Sequence, residues 1–531
     1  MTYKILITDD LSPQGLERLE NVEDIEFDIV KGLTVPALAE RIPGYDGLIV
    51  RSSVKVTAEV IAAADKLKVV GRAGMGVDNI DVDAASAKGV IVTNTPGANS
   101  VATAEHAMAL LLALCRHVPQ AYSKLKQGKW DRKSFTGIQL YRKTIGIIGM
   151  GRIGARVALR CQAFGMEVLA YDPYLTDEVA AELKVEPVSL DDLLARSDFI
   201  TLHATSTPET EKMINAAAIA KMKDGVRIIN TSRGALIDEA ALVEGVKSGK
   251  VAGAALDVFT EEPIPTDHPL LQLDNVVVTP HLAASTLEAQ RDVGTQIVDQ
   301  VLDILHETDF RNVVNLPLAD ANVLKALAPF LDLAEKIGSL QTQLADGTIE
   351  RVEVEIKGDE LNGNIKPITL AILMGLLKPV LEQSVNFVNV SVLAKRRGIT
   401  VLQSSGGGIA SPDYANLISC RVEWAGGSRT ISATLFSNDE PRLVQVDDYR
   451  MDVRPEGIIV VVSNKDRPGF IGQVGTFFGQ YNINIASWRY GRTAPYGQAL
   501  CFIGIDSDAS DEVIESLRGL ESVDYVKKVC L

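Results

Sequence analysis

Short apolar stretches alternate with amphipathic stretches of helical period along residues 1–98. The apolar stretches have the length of buried strands, and the stretches between them, such as Ala58–Leu67, have the spacing of helices with one buried face. Alternation of this kind is typical of a parallel sheet covered by helices. The predicted strands are Lys4–Thr8, Glu26–Ile29, Gly47–Val50, Lys68–Gly71 and Val90–Thr93.

A long helical pattern, Val101–Val118, separates this part of the chain from a second series of strands and helices. Within the second series, Ile153–Phe164 and Leu190–Arg196 predict helices, and residues 284–307 predict the helix that follows it. Asp309–Ala319 predicts a connector because it contains a proline, Pro317. The strands predicted in this series are Thr144–Ile148, Glu167–Tyr171, Phe199–His203, Arg227–Ile229, Gly253–Leu256 and Val276–Val278.

Residues 320–452 predict a separate unit that mixes helices and strands. Helical patterns run through Val323–Leu344 and Thr369–Gln383, and Arg351–Ile356 has the pattern of a strand. The glycine run that begins at Ser404 predicts a loop. No cluster of residues suited to catalysis stands out in this unit.

The last part of the chain, residues 457–531, has the order strand, helix, strand, strand, helix, strand, which is typical of a ferredoxin-like unit. Its first helix carries apolar residues at helical spacing, which we interpret as core because an acidic chain does not favour a base-stacking surface. The predicted strands are Gly457–Val462, Ile483–Arg489, Ala499–Ile505 and Val523–Val529, the second helix is Asp511–Leu517, and the apolar stripe is Phe470, Ile471, Val474, Phe477 and Phe478.

Length and composition indicate a globular chain of about three or four domains, since its 531 residues are 46% hydrophobic and 23% charged. A net charge of −16 argues against nucleic acid or an anionic membrane as the main partner. Five scattered cysteines without a C-x-x-C pair predict neither a disulfide framework nor a metal site. The N-terminus has the pattern of a strand rather than a targeting segment, and no apolar run reaches membrane-spanning length, so we expect a cytoplasmic protein.

The strongest local motif is a glycine turn between a strand and a helix. Gly149, Gly151 and Gly154 follow the strand Thr144–Ile148 in G-x-G-x-x-G spacing, and Asp172 ends the next strand. This context is the fingerprint of a dinucleotide site, with the pyrophosphate at the helix N-terminus and the carboxylate on the ribose hydroxyls. Asp172 would repel the 2′-phosphate of NADP, so the motif predicts NAD. A packing turn in an ordinary α/β domain is the alternative.

Polar residues gather at the ends of the later strands in this series. Arg233, Asp257, Glu262 and His281 all lie at or just beyond strand ends, where ligands bind in open α/β sheets. Hydride transfer from an alcohol to NAD needs a base, which a histidine with a carboxylate partner can supply, and an arginine can hold a substrate carboxylate. His203 also ends a strand but lacks a carboxylate loop, and the helical histidines favour packing roles.

Two arginines end strands in the first series. Arg51 and Arg72 are therefore placed to meet an anion at the same edge of their sheet, and the loop Asn94–Ser100 opens a long helix, which is a second anion-binding position. Solvated surface arginines are the alternative interpretation.

Taken together, these motifs resemble the D-2-hydroxyacid dehydrogenase family, and in particular its long members with an intervening domain and a C-terminal ACT domain. The resemblance is carried by residues 71–81, 230–234, 255–263 and 280–286 and by the glycine turn. It implies an α/β fold with four domains: a flavodoxin-like substrate domain (1–98, completed by 284–315), a Rossmann NAD-binding domain (99–283), an α+β intervening domain that is similar to allosteric substrate-binding domains (316–452) and a ferredoxin-like ACT domain (453–531).

The resemblance also implies roles for single residues. His281 would be the acid/base, Glu262 its partner and Arg233 the arginine that holds the substrate carboxylate. Met75 and Ala204 depart from residues frequent in the family, which affects single cofactor contacts. The implied NAD-binding residues are Gly149, Gly151, Arg152, Ile153, Gly154, Asp172, Thr231, Ser232, Arg233, Asp257, His281, Ala283 and Ala284. The implied substrate-binding residues are Arg51, Arg72, Gly74, Asn99 and Ser100, with Arg132 reaching a neighbouring subunit's site.

The activity implied is oxidation of D-3-phosphoglycerate to 3-phosphohydroxypyruvate with NAD, the first step of L-serine biosynthesis, in a homotetramer. A reductase for hydroxypyruvate, glyoxylate or 2-oxoglutarate and an NAD-sensing corepressor are the alternatives. Asn464, Asp466 and Asn484 match positions at which ACT domains hold an amino acid, so L-serine is the implied effector at an interface between two ACT domains. An ACT domain used for assembly alone is the other possibility.

Overall fold

Four sheets, each with its own helices, make up the fold of this computed structural model, which describes residues 2–316, 321–382, 384–406 and 414–531. Two parallel sheets come first in the chain and two largely antiparallel sheets follow. The predicted α/β fold class, with Rossmann, flavodoxin-like, α+β and ferredoxin-like units, is confirmed by this order of sheets. Pro317, Gln383, Gly407 and Gly408, which belong to the predicted connector, helix end and loop, lie outside the described residues.

The first sheet has five parallel strands in the order β2-β1-β3-β4-β5, the flavodoxin-like order. All five strands lie where the apolar stretches predict them, within one residue at each end. Their bounds, with those of the helices between them, are β1 Tyr3–Ile7, α1 Pro13–Glu20, β2 Ile25–Ile29, α2 Val35–Arg41, β3 Gly47–Val50, α3 Ala58–Ala63, β4 Val69–Arg72, α4 Val82–Lys88 and β5 Ile91–Asn94.

The second sheet has seven parallel strands in the order β12-β11-β10-β9-β6-β7-β8, which is the Rossmann order. The predicted helix Val101–Val118 is wrong at its end: α5 stops at Arg116, and a second helix starts at Val118. The bounds are α5 Ser100–Arg116, α6 Val118–Lys126, β6 Thr144–Ile148, α7 Arg152–Ala163, β7 Glu167–Tyr171, α8 Asp177–Leu183, β8 Glu186–Pro187, α9 Leu190–Arg196, β9 Phe199–Leu202, α10 Ala216–Lys221, β10 Val226–Asn230, α11 Glu239–Lys247, β11 Val251–Leu256 and β12 Val276–Val278.

A helix from beyond the second sheet returns to the first sheet. This helix, α12 (Leu287–Leu305), packs on β3, β4 and α1. Gly71 in β4 makes room for it, because a Cβ there would lie 2.6 Å from Val301. Gly15 in α1 allows a similarly close approach, since a Cβ would lie 2.9 Å from the carbonyl oxygen of Gly294. The two sheets are therefore joined by two chain crossings, one before α5 and one before α12.

The third sheet has six strands in the order β14-β13-β15-β16-β17-β18, of which only β13 and β14 pair in parallel. The loop predicted at Ser404 is wrong for its first three residues, which belong to β14, and the helix predicted to run to Gln383 stops at Leu377, before Lys378 and a proline. The bounds are α13 Ala321–Leu344, β13 Ile349–Lys357, α14 Ile365–Leu377, α15 Val390–Arg396, β14 Thr400–Gly406, β15 Leu417–Trp424, β16 Gly427–Phe436, β17 Glu440–Val446 and β18 Tyr449–Val453.

The fourth sheet is antiparallel, with the order β20-β21-β19-β22 of a ferredoxin-like unit. Its aromatic stripe is core, as predicted for Phe470, Phe477 and Phe478, whereas Ile471 is exposed. The core of the third sheet continues across one face of this sheet through Phe502. The bounds are β19 Ile458–Lys465, α16 Phe470–Gln480, β20 Ile485–Arg492, β21 Gln498–Ile505, α17 Asp511–Arg518 and β22 Val523–Cys530.

The side chain of Asn386, just before α15, donates a 2.9 Å hydrogen bond to the carbonyl oxygen of Gly89 at the end of α4. This contact connects the unit of the third sheet to that of the first.

In the described part of the chain no single helix is long and apolar enough to cross a membrane. The helices α5 and α6, which meet at an angle of 63°, have the length and composition of a membrane span only when they are taken together.

Candidate active site

The loops after β11 and β12 bring a histidine and a glutamate together. His281 Nδ1 and Glu262 Oε2 are 2.7 Å apart and hydrogen-bonded, and the backbone N–H of Phe259 donates to the other Glu262 oxygen at 3.0 Å. The backbone of His281 has a φ of +53°, in the left-handed region that residues other than glycine seldom adopt. The predicted pairing of His281 with Glu262 is therefore present, and it leaves Nε2 of the imidazole as the nitrogen free to meet a ligand.

A second carboxylate, Asp257 at the end of β11, holds the loop that carries His281. Its side chain is completely buried. It accepts hydrogen bonds from the backbone N–H groups of Leu282 (2.8 Å) and Ala283 (2.9 Å) and from the side chain of Thr279 (2.5 Å). His106 Nε2 lies 3.1 Å from the same oxygen that Leu282 and Thr279 contact. The Asp257 carboxylate thus fixes the backbone just after His281 and the Thr279 side chain just before it, and its predicted contact with NAD stays a prediction.

The pKa values of the two carboxylates follow from these contacts. Burial acts to raise the pKa of Glu262, but the hydrogen bonds from His281 and from the Phe259 N–H outweigh it and leave the pKa below its usual range. Burial likewise acts to raise the pKa of Asp257, and the donors His106, Thr279, Leu282 and Ala283 together lower it. Both groups are therefore carboxylates at neutral pH.

The glycine turn between β6 and α7 has the geometry that a dinucleotide needs. A Cβ on Gly149 would lie 2.7 Å from the backbone of Ala204, and one on Gly154 would lie 2.0 Å from the carbonyl oxygen of Gly149. The protein backbone therefore leaves no room for a side chain at either position. A Cβ on Gly151, by contrast, would meet nothing within 4 Å. The space in front of Gly151, at the N-terminus of α7, fits the close approach of a pyrophosphate.

Asp172 and the loop before α5 border the same turn. The carboxylate of Asp172 accepts hydrogen bonds from the backbone N–H groups of Met150 (2.8 Å) and Tyr174 (2.9 Å), so it is fixed beside the turn. Arg152 donates a hydrogen bond to the carbonyl oxygen of Pro96. The hydroxyl of Thr231 is buried and has no hydrogen-bond partner among the described residues, which leaves it available to a ligand. These residues fit NAD.

Three arginines line one cavity of about 520 Å³ together with His281. Arg51, Arg72 and Arg233 come from the ends of β3, β4 and β10, so the cavity lies between the two parallel sheets. Burial, followed by the nearby charge of Arg233, lowers the pKa of Arg72 to about 10, which still leaves it charged at neutral pH. A cavity with three guanidinium groups beside a histidine fits a small anion.

Several buried polar atoms at this cavity lack a partner in the described structure. They are Arg72 Nε, Asn99 Oδ1 and Ser100 Oγ. Unpaired buried polar atoms are rare in folded proteins and indicate a ligand or water that completes them. Asn99 lines the cavity, and Ser100 is the next residue, at the N-terminus of α5. The sequence predicts an anion-binding position at this helix N-terminus. Gly74 packs so closely on Arg72 that a Cβ there would lie 1.5 Å from the guanidinium.

Some residues of the site were not indicated by the sequence. Asp78, in the loop after β4, accepts a 2.7 Å hydrogen bond from Arg233 Nε. Asp9, after β1, accepts from the backbone N–H of Arg51 at 2.9 Å. His106, which the sequence favours for packing, contacts Asp257. The position of Asp9 at a strand end is the one feature of the sequence that could have indicated its role. The contacts of Asp78 with Arg233 and of His106 with Asp257 join segments that are far apart in the chain, and the sequence does not indicate them.

Not every predicted site residue reaches this cavity. Arg132 is exposed in the segment after α6, and it does not line the cavity within the described chain. The neighbouring Trp130 is 80% exposed, and Tyr122, Leu125 and Val118 of α6 are also exposed. This apolar surface and Arg132 lie on the same segment, so a contribution of Arg132 to a site in another copy stays a prediction.

The three predicted effector residues lie at two ends of the fourth sheet. Asn464 is fully buried, with its side-chain N–H₂ donating to the carbonyl oxygen of Lys465. Asp466 accepts hydrogen bonds from Tyr490 (3.0 Å) and Arg492 (2.9 Å) at the same end of the sheet. Asn484 lies at the opposite end, where it donates to Asp506. One chain does not bring all three together.

The arrangement can bind a dinucleotide beside a small anion, and it places a histidine–carboxylate pair between them. That set can remove a proton from a substrate hydroxyl and orient a substrate carboxylate. In the described residues no group of three or more histidine, cysteine, aspartate or glutamate side chains is arranged to hold a metal ion.

Comparisons with known proteins agree with this geometry. The family model of the NAD-binding domain of D-isomer specific 2-hydroxyacid dehydrogenases matches residues 108–283, and that of the D-3-phosphoglycerate dehydrogenase intervening domain matches residues 326–447. D-3-phosphoglycerate dehydrogenase of Methanocaldococcus jannaschii is 44% identical over 529 residues, covering 99% of this chain and 100% of that protein. The protein of the same name from Bacillus subtilis is 38% identical, with 100% of both chains covered.

Solved structures resemble the first two sheets. D-lactate dehydrogenase from Aquifex aeolicus, complexed with NAD and lactic acid, is 32% identical with a TM-score of 0.53 and covers 57% of this chain and 96% of its own. The apo-structure of D-lactate dehydrogenase from Escherichia coli is 30% identical with a TM-score of 0.53 and covers 59% of this chain and 99% of its own.

Proposed function

Because the chain belongs to the D-3-phosphoglycerate dehydrogenase family, we propose that it oxidises D-3-phosphoglycerate to 3-phosphohydroxypyruvate with NAD, the first step of L-serine biosynthesis. The observation that carries this proposal is the placement of the His281–Glu262 pair on the same cavity as Arg51, Arg72 and Arg233. Relatives with this name align over essentially the full chain, including the third and fourth sheets.

His281 is the base of this reaction. Its Nδ1 is occupied by Glu262, so Nε2 takes the proton from the substrate hydroxyl. The charge that forms on the imidazole is stabilised by the Glu262 carboxylate, whose pKa is lowered by that same contact. The glycine turn would hold NAD, which would supply the hydride acceptor that this oxidation needs. In the reverse direction the same nitrogen returns the proton to the carbonyl oxygen.

The arginines hold the two acidic ends of the substrate. Arg233 binds the carboxylate through Nη2, because its Nε is fixed by Asp78 and its Nη1 donates to the carbonyl oxygen of Ser232 at 2.7 Å. Arg51 and Arg72 bind the phosphate, the unpaired hydroxyl of Ser100 donates to it, and Asn99 contributes through its side-chain N–H₂ group. Gly74 keeps Arg72 in place. Arg132 reaches the site of a neighbouring subunit.

The NAD site is built on the second sheet. Gly151, Arg152, Ile153 and Gly154 would hold the pyrophosphate, and Asp172 would hold the ribose. The loops after β10 to β12 would hold the rest of the cofactor through Thr231, Ser232, Arg233, Asp257, His281, Ala283 and Ala284. We propose the domain bounds 1–98 with 284–315, 99–283, 316–452 and 453–531.

The test is NADH formation from D-3-phosphoglycerate and NAD, followed by absorbance, with His281→Ala in parallel. The wild-type chain should turn over, and His281→Ala should lower kcat by about 10²- to 10⁴-fold. Turnover in neither direction with the phosphorylated pair, but reduction of hydroxypyruvate, glyoxylate or 2-oxoglutarate, would replace the substrate. Turnover of none of these compounds would favour an NAD-sensing corepressor.

We propose further that L-serine regulates the enzyme and that the chain forms a homotetramer. Asn464 and Asp466 lie at the opposite end of the fourth sheet from Asn484, so a site that uses all three requires two ACT domains side by side. The exposed apolar surface of α6 and Trp130 supports a second contact between copies. Initial rates at subsaturating substrate should fall when serine is added, and light scattering should give four chains. Equal rates with and without excess serine would leave an ACT domain used for assembly alone.

A further inference from the structure

His106 lies on the far side of the catalytic loop from the cavity that binds the substrate. It belongs to α5, and its Nε2 is 3.1 Å from Asp257 Oδ1 and 3.1 Å from Thr279 Oγ1. The side chain is 20% exposed, toward a groove formed with α6 and β12 rather than toward the substrate cavity. His106 thus lies next to the loop that carries His281, but its side chain does not face the cavity in which the substrate would react.

The partner of His106 controls the conformation of His281. The Asp257 carboxylate accepts from the backbone N–H groups of Leu282 and Ala283, and the N–H of His281 donates to the carbonyl oxygen of Asp257 at 2.9 Å. His281 itself keeps a left-handed backbone, a conformation that persists only when its surroundings determine it. The loop therefore depends on how firmly Asp257 is held.

Two side chains, those of Thr279 and His106, also contact the Asp257 carboxylate. The carboxylate is completely buried, and a buried carboxylate is stable only when donors satisfy its oxygens. Thr279 can direct its hydroxyl hydrogen to one acceptor at a time, and at 2.5 Å it directs it to Asp257. His106 is then the side-chain donor that anchors this carboxylate to a long helix, α5, outside the loop itself.

We propose that His106 is a positioning residue for the dehydrogenase reaction, which holds Asp257 and through it the loop Thr279–Ala283 so that His281 faces Glu262. The contact passes from α5 to Asp257, from Asp257 to the Thr279 side chain and to the backbone of Leu282 and Ala283, and through this loop to His281 and Glu262. This proposal rests on the proposed function for its kinetic test, because His281 is taken as the base.

The test compares His106→Gln with His106→Leu in the full chain. The amide nitrogen of glutamine can occupy the place of Nε2 and donate to Asp257, whereas leucine fills the volume without a donor. His106→Leu should lower kcat on the order of 10- to 100-fold, as a misplaced catalytic group does, while KM for NAD and for phosphoglycerate changes less than about threefold. His106→Gln should recover most of that loss.

A matched control is available in His306, whose Nε2 lies 3.1 Å from Asp24, away from the active site. His306→Leu removes a contact of the same type and should leave kcat unchanged. Hydrogen exchange supplies a readout that does not need turnover: amides of residues 279–286 should exchange faster in His106→Leu than in wild type, and those of residues 144–154 should not.

Some results would overturn the role of His106, and others would overturn the proposed function. Unchanged kcat and unchanged exchange in a folded His106→Leu protein would overturn the proposal, as would an equal loss in His106→Gln, which would indicate packing alone. If wild type fails with phosphoglycerate, the proposed function fails, and the exchange measurement still decides the role of His106 in the loop.

Discussion

Arg233, at the end of β10 in the second sheet, donates a 2.7 Å hydrogen bond from Nε to Asp78, in the loop after β4 of the first sheet. The contact crosses the cavity between the two sheets and joins the parts that bind cofactor and substrate. Gly76 makes it possible, because a Cβ there would lie 1.7 Å from the Arg233 guanidinium. Asp78 fixes Nε, the Ser232 carbonyl oxygen accepts from Nη1 at 2.7 Å, and Nη2 is left for a substrate carboxylate.

Removal of this contact should weaken substrate binding more than the chemical step. In Asp78→Ala, Arg233 loses its orienting partner, and KM for the hydroxy acid should rise about 2- to 5-fold, since an exposed ion pair contributes up to about 1 kcal/mol. Asp10→Ala is the control, because Asp10 also lines the cavity but pairs with Lys31. Equal effects of both variants in steady-state kinetics would show that charge alone matters, not the orientation of Arg233.

The carboxylate that pairs with His281 should matter for the chemical step. Glu262 is hydrogen-bonded to His281 Nδ1, and its lowered pKa keeps it a carboxylate at neutral pH, so it stabilises the charge that forms when Nε2 takes the proton. In Glu262→Gln this charge partner is lost, and kcat should fall by about 10- to 100-fold while KM for NAD stays the same. Steady-state kinetics at about pH 7 check this. An unchanged kcat would separate Glu262 from the proton transfer.

The two glycines of the nucleotide turn should fail in different ways. Gly151→Ala adds a methyl group to open space, so the melting temperature should stay the same, while KM for NAD should rise about 10-fold or more as the methyl group meets the pyrophosphate. Gly154→Ala forces a Cβ to 2.0 Å from the Gly149 carbonyl oxygen and should lower the melting temperature. Thermal melts and NAD titrations of both variants give the result. Unchanged NAD binding in Gly151→Ala would place the cofactor elsewhere.

Arg72 should discriminate between phosphorylated and unphosphorylated substrates. Removal of a buried charged donor should raise KM for phosphoglycerate about 10- to 100-fold in Arg72→Ala and change KM for a 2-hydroxyacid without phosphate much less. The comparison needs both substrates at the same pH, well below the pKa of about 10 that burial gives this arginine. Equal increases for the two substrates would contradict the assignment of Arg72 to the phosphate.

Asp257 should contribute to stability in a pH-dependent way. Its folded pKa lies below the ordinary value of 3.8, so its contribution is complete above that value and disappears as the pH falls through the folded pKa. Asp257→Asn puts an N–H₂ group against backbone donors and should cost about 1–3 kcal/mol at neutral pH. Because the variant has no carboxylate left to protonate, its melting temperature should depend less on pH below about 4 than that of wild type. Parallel curves for the two proteins would argue against this role.

Most strands of the parallel sheets can be read from the sequence because they are buried on both faces, as β3 and β9 are. Thr144–Ile148 and Glu167–Tyr171 form strands at the predicted bounds. The third sheet was harder: β15 and β16 alternate apolar residues with serine, threonine and arginine, so they lack a continuous apolar run. The sequence therefore predicts too few strands for this part of the chain, and the glycines after Ser404 predict a loop where β14 continues to Gly406.

The site was readable to the extent that it follows strand ends. The position of His281, Glu262 and Arg233 beyond parallel strands predicts their convergence, and the structure brings them to one edge. The contacts of Asp78 with Arg233 and of His106 with Asp257 could not be read in this way. Each joins segments that are distant in the chain, and each side chain has an ordinary local role as a loop carboxylate or a helical histidine.

The return of α12 to the first sheet has a consequence for how the protein is made. Val301 and Ile297 cover Gly71 and its neighbours in β4, so one face of the first sheet lacks its apolar cover until residues 287–305 have left the ribosome. The second sheet needs only residues that precede this helix. Synthesis therefore begins with the first sheet, but the second sheet is the first to have all of its residues outside the ribosome. One face of the first sheet stays without the cover of α12 while about two hundred more codons are translated.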